Sequence, residues 1–263
     1  MIKKFFRRIL GANNSTAKEV RPKIFGPKEH GIQLDDVSAN AIRVTQSLQK
    51  AGFKAFVVGG AVRDLVLGLK PKDFDVATNA TPEEIRRLFR RAFIIGRRFQ
   101  IVHVMFGQDL IEVTTFRGSS TDESPKDAHG RVLRDNTFGE QHEDAARRDF
   151  TINAMYYDPA EQLVLDYHGG MNDIRNRTLR IIGEAEARYR EDPVRLLRVV
   201  RFSAKLEFKI APATRQPMAV MAPLINNVPV ARVFDEMLKL LMSGHAMACL
   251  QRLRKEGLHH GLL

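Results

Sequence analysis

The chain has 263 residues, 44% of them hydrophobic and 28% charged, which excludes disordered, collagen-like and coiled-coil classes. Lys and Arg number 42 against 31 Asp and Glu, a net charge of +11, and an excess of that size points to a polyanionic partner, most simply a nucleic acid. No apolar run of about 18 residues is present, so no helix is expected to span a membrane.

The charge is uneven. Residues 1–30 hold eight Lys and Arg against two Glu, a net +6, which leaves +5 for the other 233. The opening MIKKFFRRILG mixes basic and apolar residues and lacks the long apolar stretch and small-residue cleavage site of a secretory signal. Residues 1–31 are expected to form a flexible basic arm that touches RNA, with weak contact to an anionic membrane surface as its other use. The lone Cys249 excludes an internal disulfide and any Cys-cluster metal site. It fits a reducing, cytoplasmic compartment and reads as core filler.

Val37, Ala41, Val44 and Leu48 fall on one face of a 3.6-residue period, predicting a helix over 36–51 that Gly52 ends. AFVV (55–58) reads as a buried strand entering the Gly59-Gly60 turn, AVRDLVLG as a short helix stopped at Gly68, and DFDVAT (73–78) as the next strand. Thr81-Pro82-Glu83-Glu84 joins an N-cap Thr, Pro at the first helical position and a capping-box Glu, starting a helix to about Arg91. IVHVMF (101–106) and LIEVTTF (110–116) flank Gly107-Gln108-Asp109 and read as a β-hairpin. Residues 118–142 are rich in Gly, Ser, Asp, Lys and His and read as a long mobile loop. Beyond 143 helices dominate, broken by strands near 163–167 and 178–182. From 184 the pattern is helical throughout, over 192–206, 214–226, 230–243 and 246–257. The expected division is the arm at 1–31, an α/β head at 32–183 and an all-helical segment at 184–263.

The densest chemical signal is GGAVRDLVLGLKPKDFDVAT (59–78). In the expected strand Asp73 and Asp75 are two residues apart, so both carboxylates point the same way with Cα atoms roughly 6.5 Å apart. Such a pair can hold hard divalent cations, which take oxygen ligands and leave positions for substrate phosphates. Backbone N–H groups at the Gly59-Gly60 turn can receive a polyphosphate, and Arg63 on the following helix can add a phosphate contact. Glu112, a charge inside the apolar, β-branched LIEVTTF, is the candidate third carboxylate, brought to the aspartates by a neighbouring strand. A lone Gly-Gly is usually a plain turn and a lone Asp-x-Asp usually a solvated face; the order and spacing of the pieces make the signal. His103, in the preceding strand, reads as a histidine satisfied by its neighbours.

Three blocks in order, GGAVRD-x8-DFD (59–75), RRDFTINAM (147–155) and EDPVRLLRVVRF (191–202), resemble those of the class II nucleotidyltransferase superfamily, the bacterial poly(A) polymerases and tRNA CCA-adding enzymes. The similarity runs from about residue 30 to the last residue. It implies an α+β fold, a nucleotidyltransferase head with a small mixed β-sheet followed by a helical neck. It also implies that the first block holds phosphates and metals, with Asp73 and Asp75 as ligands of a two-metal Mg2+ site (Mn2+ as a substitute) and Gly59, Gly60 and Arg63 on the phosphates. Glu112 and Asp149 would be further catalytic carboxylates. The second block would handle the ribose 2′-OH and the third the base, with Arg148, Asn153, Asp192 and Arg195 on the nucleotide.

Those assignments have a physical basis. Arg148 and Asp149 set a donor beside an acceptor, as a ribose hydroxyl requires. Asp192 and Arg195, taken as i and i+3 on one helix, share a face. A carboxylate and a guanidinium then match the N6 donor and N1 acceptor of adenine, or N4 and N3 of cytosine, and not the edges of U or G. This spacing is more often a surface ion pair; the neighbouring blocks favour the base reader.

Because one pair suits A and C, other stretches separate the branches. GRRFQIVHVMFGQDLIEVTTFRG (96–118) and NNVPVARVFDEMLKLLMSGHA (226–246) resemble the poly(A) branch. The function so implied is template-independent AMP transfer from ATP to RNA 3′ ends (mRNA, small RNA or tRNA), releasing pyrophosphate, by a monomer working with RNA-decay proteins. The alternatives are CCA addition to tRNA, a non-catalytic basic RNA-binding module, and nucleotidyl transfer to a small molecule or protein. Members of the superfamily continue past the point matching Leu263. The chain is therefore expected to be a fragment or a short, truncated member, with nucleotide chemistry encoded and RNA affinity and processivity reduced.

Overall fold

The structure, a computed structural model, describes residues 20–96, 100–118 and 137–260. The arm before Val20 and the centre of the loop expected over 118–142 lie outside the described residues. The chain divides into two compact units, one comprising residues up to Ala145 with Tyr156–Tyr167, the other Ala146–Met155 with His168–Leu263. The division thus differs from a single boundary near 184, because RRDFTINAM belongs with the second unit and the strand pair that follows it returns to the first.

The first unit is built on an eight-stranded mixed sheet, ordered β1-β8-β7-β2-β3-β6-β5-β4. Its strands are β1 (Lys23–Phe25), β2 (Ala55–Val58), β3 (Asp75–Thr78), β4 (Ala92–Ile95), β5 (Ile101–Phe106), β6 (Asp109–Thr115), β7 (Met155–Asp158) and β8 (Leu163–Asp166). The sheet is larger than the small one expected. β1, β4 and β7 are three or four residues long and show no readable alternation. β1 also lies inside the stretch expected to be a flexible arm. It pairs antiparallel with β8, Ile24 opposite Leu165, and buries Phe25. The buried His30 fixes the same segment: Nε2 donates to the Gln162 carbonyl at 3.1 Å and Nδ1 accepts from Ile32 N–H at 3.0 Å.

Register gives the sheet its core. Val57, Val76, Val113 and Val102 stand side by side on β2, β3, β6 and β5, all fully buried. β-Branched side chains pack well against such in-register neighbours. Helix α1 (Ala39–Lys50), started by Ser38 accepting from Ala41 N–H, packs against β2, β3 and β6 with Ala41, Val44 and Leu48 buried. Helix α3 (Pro82–Leu88) begins with the expected capping box, Thr81 Oγ accepting from Glu84 N–H and Glu84 Oε2 from Thr81 N–H. Between them, α2 spans Gly60–Val66. The other face carries a cluster of Phe56, Val58, Ala77, Phe116, Ala145, Tyr156 and Leu165. Asp144, on α4 (Gln141–Arg147), accepts from Tyr156 Oη at 2.6 Å and Arg117 N–H at 3.2 Å, which satisfies a carboxylate set into apolar surroundings.

The second unit contains α5 (Gly170–Arg175), β9 (Thr178–Leu179), α6 (Ala185–Glu191), α7 (Val194–Lys205), β10 (Lys209–Ile210), α8 (Val230–Leu241) and α9 (Ala246–Lys255). It is not all-helical beyond 184, since β10 pairs parallel with β9. The single helix expected over 214–226 is instead a series of short turns, because Pro217 and Pro223 remove backbone donors. α7 buries Val194, Leu196, Leu197, Val199, Val200 and Phe202 and packs against α8 and α9, where Cys249 is buried.

Gly118 and Gly139 bring the two ends of the 119–136 segment together, Gly118 N–H donating to Thr137 O and Gly139 N–H to Phe116 O. A Cβ on Gly139 would lie 2.3 Å from Gly118 Cα and 2.4 Å from its nitrogen. Gly139→Ala is therefore expected to lower the melting temperature, at a cost of about 1–3 kcal/mol for the forced backbone shift. Gly26→Ala, where a Cβ meets nothing within 4 Å, should leave it unchanged in the same thermal melt.

Candidate active site

The glycine turn and the carboxylates meet at one end of adjacent strands. Gly59 has φ +77° and ψ −134°, a conformation essentially confined to glycine. A Cβ on Gly60 would make only ordinary contact, 3.5 Å from Arg63 Nη2, so the strict requirement lies at Gly59. α2 has seven residues, and its entry offers bare backbone more than a long macrodipole. Arg63 is only 4% exposed. Its Nη2 and Nε lie 2.7 and 2.8 Å from Asp64 Oδ1, and the guanidinium braces the turn beside Gly60.

Asp75 opens β3 and pairs with Val58, the residue before Gly59. Asp73 does not share that strand. The partner strand turns away at Gly59, pairing ends, and Asp73 sits exposed in the preceding loop, where strand alternation does not set its direction. Glu112 lies directly beside Asp75, because β3 and β6 pair in parallel with Asp75 opposite Glu112. In-register neighbours share a face with strands about 4.8 Å apart. Glu112 in turn faces His103 on β5, with Nε2 3.6 Å from Oε1.

Among the described residues no group of three His, Cys, Asp or Glu is arranged to hold a metal. The pair of hard oxygen donors still fits Mg2+, which is commonly held by one or two carboxylates with substrate phosphates completing its shell.

In the second unit, Asp149 follows α4 in a turn rather than on a helix. Its Oδ1 accepts from Phe150 N–H at 2.8 Å and Asn153 Nδ2 at 3.2 Å, and its Oδ2 from Arg198 Nε at 2.9 Å and from Arg198 Nη2. Asn153 is buried and orients Asp149. Burial alone would raise the Asp149 pKa; the Arg198 charge and these hydrogen bonds outweigh it and hold the carboxyl below the ordinary carboxylate range. Arg198 is also 4.0 Å from Glu236 on α8, which Arg201 pairs from the other side. Arg198 and Arg201 were not among the residues singled out from sequence. The local trace is that Arg195, Arg198 and Arg201 recur every third position between apolar residues, which does not say which of them meets a carboxylate.

Asp192 and Arg195 are not i and i+3 of one helix. Asp192 ends α6 with φ −149° and ψ 93°, Pro193 follows, and α7 begins at Val194. A residue before proline is steered away from helical geometry. The two side chains have different partners: Arg232 Nη2 donates to both Asp192 oxygens at 3.0 and 2.9 Å, while Arg195 Nη1 donates to Arg188 O and Glu191 Oε2 at 2.7 and 2.8 Å. Arg188 Nη2 donates to the carbonyls of Arg147 and Arg148, both at 2.7 Å, which ties α6 to the turn carrying Arg148 and Asp149.

Removing Arg198 leaves Asp149 and Glu236 buried without their shared cation. Arg198→Ala is expected to cost about 2–4 kcal/mol, below the full loss for a buried pair because Arg198 keeps 32% exposure. A carboxylate with a lowered folded pKa stabilises the fold above its unfolded value near 4 and loses that contribution as pH falls through the folded value. Thermal melts should show the gap between wild type and Arg198→Ala constant from about pH 7 to 5 and narrowing below about pH 4.

The family described as "Poly A polymerase head domain" matches residues 55–180, and that described as "Probable RNA and SrmB- binding site of polymerase A" matches 207–263. Poly(A) polymerase I of Salmonella typhi is 50% identical over 261 residues, 95% of this chain and 56% of that protein. Poly(A) polymerase I of Escherichia coli O6:H1 is 51% identical over 251 residues, 92% of this chain and 54% of that protein. The crystal structure of the Bacillus stearothermophilus CCA-adding enzyme in complex with CTP is similar at 38% identity and a TM-score of 0.71, over 83% of this chain and 52% of that one. The chain spans about half the length of the curated relatives it matches. With its head domain matched and its sequence half identical to poly(A) polymerases, the chain belongs to the nucleotidyltransferase family of the bacterial poly(A) polymerases and CCA-adding enzymes.

Proposed function

We propose that the chain transfers AMP from ATP to RNA 3′-hydroxyls without a template, releasing pyrophosphate. The supporting observation is the in-register Asp75–Glu112 pair at the strand end that meets the Gly59 turn. Asp75 and Glu112, with Asp73 from the loop before, would hold Mg2+ or Mn2+, which when bound supplies charge for hydroxyl activation and for the leaving pyrophosphate. The bare backbone at Gly59-Gly60 receives the triphosphate, and Arg63 behind it keeps the turn in shape. The second unit, taken by itself, offers Asp149, held ionised by Arg198 and oriented by Asn153, as an acceptor for a ribose hydroxyl, with Arg148 beside it in sequence. Asp192 and Arg195 present their polar atoms to the base edge, each held by a separate partner. Positioning and electrostatics account for most of the rate.

The higher identity to poly(A) polymerases, 50% against 38% for the CCA-adding enzyme of known structure, favours adenylation. Residues 207–263 fit an RNA contact, with Arg252, Arg254 and Lys255 closing α9. The apolar outer residues of α8, Val230, Phe234 and Leu241, fit a protein partner in RNA decay. The lone, buried thiol of Cys249 supports a reducing, cytoplasmic setting for this work.

Asp75→Asn and Glu112→Gln should each lower AMP incorporation by about 10²–10³-fold or more while RNA binding in a filter assay stays nearly intact. Undiminished incorporation in either purified variant would remove the assignment. Supplying ATP or CTP to a generic RNA and to a tRNA lacking its 3′ end distinguishes the branches. A-tails on both RNAs are expected; C incorporation confined to the tRNA would mean CCA-type addition.

A further inference from the structure

The row that begins Asp75, Glu112 continues across the sheet. Glu112 pairs with His103 on β5, and His103 with Phe93 on β4, the edge strand. Four in-register residues on four adjacent strands share one face, and Phe93 lies roughly 14 Å from Asp75 along it. The opposite face of these strands is the buried side, with Val102, Val104, Ile111 and Val113 in the core. On the row's own face Phe93 is 54% exposed, with Ile95 and Leu110 also exposed. Exposed Arg91 stands two residues before Phe93, and its carbonyl accepts from Met105 N–H at 2.9 Å, so alternation brings its side chain to the same side.

An exposed aromatic on an edge strand is a liability for folding alone and marks a surface with a partner. Here the apolar patch is continuous with the carboxylate pair and has a cation at its rim. A protein seated on it would crowd carboxylates that transfer needs open. A single strand of nucleic acid would not: its bases stack on aromatic faces and its backbone takes the cation, which is how single strands are bound without sequence preference.

We propose that this face is the platform for the 3′ end of single-stranded RNA, a base upstream of the reacting hydroxyl stacking on Phe93, with His103 between it and Glu112, and Arg91 meeting the backbone. The proposal rests on the reading of Asp75 and Glu112 as the transfer site. Phe93 is a positioning residue: it acts on where the 3′-hydroxyl lies and touches no reacting atom.

The test uses the whole chain and a short oligoadenylate with 2-aminopurine near its 3′ end. Phe93→Ala should raise the KM for the oligonucleotide about 5- to 150-fold, the range of one lost stacking contact, with the KM for ATP and the melting temperature unchanged. It should also abolish the fluorescence quenching that binding produces, while Phe93→Tyr restores both. Unchanged quenching and unchanged oligonucleotide KM in Phe93→Ala would overturn the platform, as would equal increases in the two KM values. The binding arm needs no turnover. If the wild type transfers no AMP yet quenching depends on Phe93, the platform stands and the transfer reading fails. If transfer is normal and quenching ignores Phe93, the platform alone fails.

Discussion

The parallel pairing of β3 with β6 is the constraint on which the first unit's chemistry depends. It stands Asp75 beside Glu112, and a slip of one residue would put Ile111 or Val113 there and turn Glu112 to the opposite face. No contact between the carboxylates holds this alignment, since like charges repel. It is held from the residue next door, where Val57, Val76, Val113 and Val102 form a fully buried row beneath α1. Hydrophobic packing on one face thus sets the electrostatics on the other. The same rule carries the row outward to His103 and Phe93, so polar or exposed side chains and core apolar ones alternate along the same strands.

The second unit solves a different problem. Several charges lie in or against an apolar helical core, and an unpaired buried charge is costly. The chain alternates signs: Asp149, Arg198, Glu236 and Arg201 follow one another from the RRDFTINAM turn through α7 to α8. Arg232 and Arg195 likewise hold Asp192 and Glu191 at the break between α6 and α7. Asp149 and Glu236, both largely buried, are each fixed by a partner from a different element, which orients polar atoms more firmly than an exposed ion pair would. A rigid acceptor such as Asp149 suits recognition of a hydroxyl, because its geometry is set before the ligand arrives.

Much of this was legible in the residues. The Thr81–Glu84 capping box, the Gly59 turn, the β5–β6 hairpin and the helix over 39–50 rest on local chemistry and appear where that chemistry predicts. β1, β4 and β7 were illegible because KIF, AFII and MYYD carry no alternation of polar and apolar residues. The helix break at Asp192 was written in Pro193, yet the i, i+3 spacing across it reads as one continuous helix. Likewise Asp73 and Asp75 read as strand neighbours until pairing with β2 stops at Val58. Arg198 stood inside a recognised block, but nothing local marks one arginine of a helix as the partner of a carboxylate 49 residues earlier.

By itself the sequence determined the chemical repertoire: a glycine turn, a set of carboxylates, a charged turn at 147–149 and a basic, arginine-spaced helix, in the order shared with poly(A) polymerases and CCA-adding enzymes. Tertiary structure alone decided which of these groups meet. Asp75 acquired Glu112 rather than Asp73 as its strand neighbour, Asp149 acquired Arg198, and Asp192 acquired Arg232 in place of Arg195. The reason is physical. Local preferences depend on residues within one turn or one strand, whereas strand register and helix packing are set by burying apolar surface across the chain, and polar partners follow from that burial.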